Sequence, residues 1–129
     1  VDVSSMELAL DLGWSGIALK TCKCQSSDAI FWSKASEAGI AYSVQDLTNP
    51  SLALLQSVGL ASRLSTILGV EANSRQFFPD ATQSSEKSLH ADIFHLVKGE
   101  ADTRSLQGPG LGFQMLKLSD LGWSPGSQV

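Results

Sequence analysis

Between Gly16 and Asp46 the hydrophobic period of the chain changes twice, and that limits the fold more than any other feature. Ile17, Ala18 and Leu19 form an apolar run too short for a helix, bounded by Gly16 and ending at Lys20. Ile30, Phe31, Lys34, Ala35 and Ala38 then recur at helical spacing, with Ser26 or Ser27 placed to cap the helix and Gly39 to stop it. Ile40 to Val44 reads as a second strand, closing on Gln45 and Asp46. Two strands joined by a helical crossover pair in parallel.

The flanks continue the alternation. Ser4 and Ser5 precede a short helix carrying Met6, Leu8, Ala9, Leu10 and Leu12, with Glu7 in its first turn and Gly13 at its end. Asn49-Pro50 opens a third helix with a stripe of Leu52, Leu55, Val58 and Ala61. Leu68 to Ala72 gives a third strand ending at Glu71-Ala72-Asn73, and Phe77-Phe78-Pro79 closes the block. The aromatics Phe31, Trp32, Phe77 and Phe78 read as packing residues. Asp80 to Lys87 reads as loop, Ile93 to Val97 as an outlying strand, and 108–112 as irregular backbone. Asp-Leu-Gly-Trp-Ser occurs at 11–15 and 120–124, but the flanks differ, so no repeat array is expected.

An α–β–α–β–α–β order predicts an α/β fold with a parallel sheet, either open and doubly wound or a slice of a (β/α)₈ barrel. No Gly-x-Gly-x-x-Gly joins a strand to a helix, which argues against nucleotide binding.

Composition narrows the partners. A chain of 129 residues, 43% hydrophobic and 17% charged, can bury a core. A net charge of -4 argues against nucleic acid, whose phosphates need clustered Lys and Arg. No apolar run approaches a membrane span and no signal peptide opens the chain, so neither a membrane nor an oxidising compartment is expected, and a cytoplasmic location is. Cys22 and Cys24 are too close to staple separate elements, and their spacing does not suit a zinc site with His90 and His95.

Chemistry concentrates at the strand ends, where α/β proteins place reactive groups. Lys20 ends the first strand. A lysine turned into a barrel loses solvation, which favours the neutral amine needed for acid/base work; the alternative is a solvated strand end. Strand alternation groups Glu71 with Gly69 and Asn73 and aims it inward, where a carboxylate needs a donor or a cation; the alternative is an ion pair with Arg75. Tyr42 and Val44 are expected against helices, which leaves Ala41, Ser43 and Gln45 facing inward and Asp46 free to orient the following loop.

Gly16-Ile-Ala-Leu-Lys-Thr-Cys-Lys23, the helix to Gly39, the strand to Gln45-Asp46 and Gly69-Val-Glu-Ala-Asn73 together resemble the last three β/α units of the enolase superfamily barrel. The mandelate racemase/muconate-lactonizing branch is the nearest in pattern. Ile93-Phe94-His95-Leu96 followed by 108–113 resembles the segment that returns to that family's capping domain.

The resemblance implies a C-terminal part of a TIM-barrel domain over 1–79 and a tail reaching the capping domain over 80–129. It implies that Lys20 is the acid/base that abstracts a proton α to a carboxylate. Gln45, Asp46, Glu71 and Asn73 would surround a small carboxylate substrate, in a dehydratase, racemase or cycloisomerase. The racemase-type histidine on the seventh strand is replaced here by Gln45-Asp46, which weakens a mandelate racemase assignment. The paired aspartates of dipeptide epimerases on the eighth are missing, so an amino-acid-derived substrate is not expected.

The family's Mg²⁺ carboxylates come from the third to fifth strands and its partner lysine from the second, so the ligands are expected outside this chain. A whole barrel takes roughly 250 residues. The expectation is therefore an inactive C-terminal fragment of a homo-oligomeric enzyme, in keeping with an opening Val-Asp-Val. Alternatively the chain is a self-contained α/β binding module that pairs through its open sheet edges with a second chain.

Overall fold

The computed structural model describes residues 2–109 and shows a mixed α/β fold around a three-stranded parallel sheet. Helix α1 (Val3–Asp11) is followed by β1 (Gly16–Leu19), α2 (Gln25–Ala38), β2 (Ala41–Gln45), α3 (Leu52–Ala61) and β3 (Val70–Glu71). Three short helices, α4 (Ser74–Phe77), α5 (Ser84–Leu89) and α6 (Ala91–Phe94), and a 3-10 turn at Arg104–Leu106 complete it. The strand order is β1-β2-β3, with Ile17 opposite Tyr42, Leu19 opposite Val44 and Val44 opposite Val70.

Local signals act largely as expected, with shifted ends. Asp2, rather than a serine, caps α1 by accepting the Ser5 amide at 2.9 Å. Helix α2 starts after Cys24, ahead of the expected serines, and Gly39 ends it at φ 68, where a left-handed residue lets the Ile40 amide return to the Ala35 carbonyl. Helix α3 begins beyond Pro50, because Ser51 takes a φ of 63.

Alternation along each strand builds the core. Leu19 and Val44, fully buried, pack with Met6, Phe31 and Ala35, while Ile17, Tyr42 and Val70 lie partly buried against them. Helices α1, α2 and α3 thus contribute to one face of the sheet. Fully burying one such Leu or Phe contributes roughly 1.5–3 kcal/mol. A second cluster joins Leu54, Leu55 and Val58 of α3 to Ile93 and Leu106, so α3 is apolar on two sides. Arg63 ties this cluster to the chain beyond it, donating to the carbonyls of Gly59, Leu106 and Gly108.

Several expectations need correction. The third strand covers only Val70 and Glu71: Gly69 sits at φ 67, outside the β region, and Leu68 is 82% exposed. The polar run expected to be loop runs into α5, none of whose residues is fully buried, and which Glu86 and Lys87 tie to the Ser51 hydroxyl and the Pro79 carbonyl. Ile93 lies in α6 rather than a strand; Val97 makes an isolated bridge to Glu100 around Lys98 and Gly99, both at positive φ, as a tight hairpin turn requires. Phe31 alone of the four aromatics is buried: Phe77 and Phe78 are exposed, and Trp32 donates to the Tyr42 hydroxyl at 3.2 Å. The irregular stretch from residue 110 and the second Asp-Leu-Gly-Trp-Ser lie outside the described residues. Among the described residues no helix is long and apolar enough to cross a membrane.

Candidate functional site

The helix-bearing face of the sheet leaves the alternate residues on the other. Ala18 pairs with Ser43 and Gln45 with Glu71 in the parallel register. Lys20 follows the Leu19–Val44 pair by one residue, as Gln45 does, so Lys20, Gln45 and Glu71 fall in one row across the carboxyl ends of the three strands. Lys20 and Gln45 are half-buried and Glu71 is exposed.

The backbone of Lys20 is fixed from both sides. Its amide donates to Asp28 Oδ1 at 3.1 Å, and its carbonyl accepts the Lys23 amide at 2.8 Å. The next residue, Thr21, is buried, with its hydroxyl 2.8 Å from that of Ser57. Ser57 directs its one proton to the Ala53 carbonyl at 3.1 Å, which makes Thr21 the donor between them. Asp28 stands in the opening turn of α2, on the same stripe as Phe31 and Ala35. Burial raises its carboxyl above the usual carboxylate range, and the Lys20 amide offsets that in part.

Asp46 is 1% exposed and accepts the Thr48 amide at 2.7 Å on Oδ1 and the Ser74 amide at 3.2 Å on Oδ2. Its own amide donates to the Glu71 carbonyl at 3.0 Å. It therefore orients the loop behind β2, in which Leu47, Thr48 and Ser51 hold positive φ. Such non-glycine conformations cost of order 1–3 kcal/mol each and persist where neighbours hold them. Parity separates Asp46 from the row that holds Gln45.

Asn73 Nδ2 donates to Glu71 Oε1, so these two residues meet at the end of β3. The alternative pair of Glu71 with Arg75 does not form. Arg75 donates to the Ile93 carbonyl and lies 5.9 Å over the Phe94 ring, and the ion pairs among the described residues join Lys34 to Glu7 and Arg104 to Asp102.

Cys22 and Cys24 are exposed free thiols. Among the described residues no group of three or more His, Cys, Asp or Glu could hold a metal ion. What the row offers is an amine, an amide and a carboxylate at one rim, above a face of small residues.

Sequence reasoning missed Asp28, Thr21, Ser57 and Ser74. Helical spacing with Phe31 and Ala35 was the available signal for Asp28; Ser57 and Ser74 show theirs only through partners 36 and 28 residues away. No protein-family model, curated protein or solved structure matches the chain.

Proposed function

We propose that this chain forms the last three β/α units of an enolase-superfamily barrel, in which Lys20 moves the proton α to a substrate carboxylate. The observation that carries this is the row Lys20–Gln45–Glu71 at the carboxyl ends of three parallel strands, on the face that the helices leave. The order β1-β2-β3, sequential and without a reversal, suits a barrel slice better than a doubly wound sheet, whose order reverses at a switch point.

In this reading Lys20 acts as the acid/base that exchanges the α-proton. Gln45 and Asn73 donate hydrogen bonds to substrate oxygens, Glu71 holds the Asn73 amide in place, and Asp46 fixes the loop at the rim. Mg²⁺, which the superfamily uses, would be held by residues elsewhere in the enzyme. The remaining strands, or a second chain, would cover the outer edges of β1 and β3.

The test is the intact mass of the protein as its natural source produces it. A mass well above 13.7 kDa supports the barrel reading, and a mass matching this chain contradicts it. The second result would favour a self-contained module that pairs through its sheet edges. The terminal positions of β1 and β3 in the sheet favour that reading, and sedimentation of the chain as a dimer would support it.

A further inference from the structure

A cleft of about 210 Å³ lies between the start of α3, helix α4 and helix α5, away from the row that holds Lys20. Ser74, Arg75, Thr82 and Lys87 line it together with Phe78 and Phe94. Drug-sized ligands occupy clefts of about 300–1,000 Å³, so the occupant here is small.

Two of the lining residues carry polar atoms that are buried without a hydrogen-bond partner among the described residues: Ser74 Oγ and Arg75 Nε and Nη1. Ser74 is 1% exposed. Buried polar groups are otherwise satisfied almost everywhere in folded proteins, so three on adjacent residues point to something that supplies acceptors. Arg75 has no carboxylate partner, and burial lowers its guanidinium from the ordinary arginine range, as expected for a cation lacking a counter-charge. Lys87 spends one ammonium proton on the Pro79 carbonyl at 2.8 Å and keeps two.

The nearby acids are already engaged. Asp46 accepts the amides of Thr48 and Ser74, and Glu86 accepts the Ser51 hydroxyl. Thr82 accepts the Ser51 amide at 3.2 Å, which leaves its hydroxyl proton to donate.

We propose that this cleft binds one small oxyanion, a carboxylate or a phosphate group, held by Arg75 and Lys87 with the hydroxyls of Ser74 and Thr82. A planar guanidinium beside an ammonium is the pairing that recognises such groups. The site is independent of the reaction proposed for Lys20.

The experiment is a titration of the ¹⁵N-labelled full chain with inorganic phosphate, and separately with acetate, at fixed ionic strength. Saturable shifts of the Arg75 Nε–H and of the Ser74 and Thr82 amides are expected. Saturation by phosphate assigns a tetrahedral group, and saturation by acetate a carboxylate. Arg75→Gln is expected to weaken binding at least tenfold. Because Arg75 also holds the Ile93 carbonyl, Lys87→Ala on α5 serves as the second variant and is expected to weaken binding several-fold. Non-saturating shifts with both anions, or affinity unchanged in Lys87→Ala, would overturn the proposal.

Discussion

Asp46 and Ser74, 28 residues apart, are joined by a hydrogen bond from the Ser74 amide to Asp46 Oδ2 at 3.2 Å, which locks the end of β2 to the start of α4. The same carboxylate accepts the Thr48 amide at 2.7 Å. Asp46→Ala leaves both amides without their acceptor and is expected to destabilise the chain by roughly 2–4 kcal/mol. Asp46→Asn keeps one acceptor oxygen, so its loss should be about half as large. Urea unfolding of the two variants checks the ordering.

Asp28 predicts a dependence on pH. Burial raises its folded-state pKa above the ordinary 3.8, so the folded chain holds this proton more tightly than the unfolded chain does. Its contribution to stability is greatest below 3.8, falls as pH rises through the folded-state value, and is flat above it. Asp28→Asn, which keeps an oxygen for the Lys20 amide, should remove that slope and raise the melting temperature above the window. Asp28→Ala leaves the Lys20 amide unpaired and should cost about 1–3 kcal/mol. Melting temperatures taken from acid to neutral pH separate the two.

The Thr21–Ser57 hydrogen bond carries the loop behind β1 onto α3. Thr21→Val and Ser57→Ala should each cost about 1 kcal/mol. Because they share one interaction, the double variant should cost less than their sum by about 0.5 kcal/mol or more. Additive losses would mean that the two hydroxyls act separately.

Cys24 immediately precedes α2, and the Ser27 hydroxyl, followed by the Ser27 and Ser26 amides, lowers its thiol from the ordinary 9.0. The rate of alkylation of Cys24 by iodoacetamide should rise with a midpoint below 9.0, and Ser27→Ala should move that midpoint upward. Peptide mapping distinguishes Cys24 from Cys22.

Much of the β1–α2–β2 unit is legible in the sequence, because Ile17, Leu19, Tyr42 and Val44 alternate while Phe31 and Ala35 keep helical spacing. The same parity turns Lys20, Gln45 and Glu71 to one face, whereas their alignment in one row depends on the strand register, which the sequence does not announce. Elsewhere the period misleads. Ile93 and Val97 sit close enough to mimic an alternating strand, yet α6 is a single turn and Val97 belongs to a tight hairpin. Helix α5 has no apolar stripe to announce it, and none of its residues is fully buried. The polar supports of the site were hidden for a different reason. Asp28 and Ser57 look like interruptions of apolar patterns until the Lys20 amide and the Thr21 hydroxyl are known as their partners. Ser74 meets Asp46 through its backbone amide, which no side-chain pattern announces.

The measurement that bears most directly on Lys20 is hydrogen exchange by the complete protein in D₂O. A panel of small carboxylic acids bearing an α-proton, in the presence of Mg²⁺, would be followed by loss of the α-proton signal. Positioned acid/base groups contribute roughly 10²–10⁴-fold, so Lys20→Ala should lose exchange by about that factor while the variant still folds. Exchange that proceeds unimpaired in Lys20→Ala would remove Lys20 from the chemistry and leave the row at the strand ends without the role assigned to it.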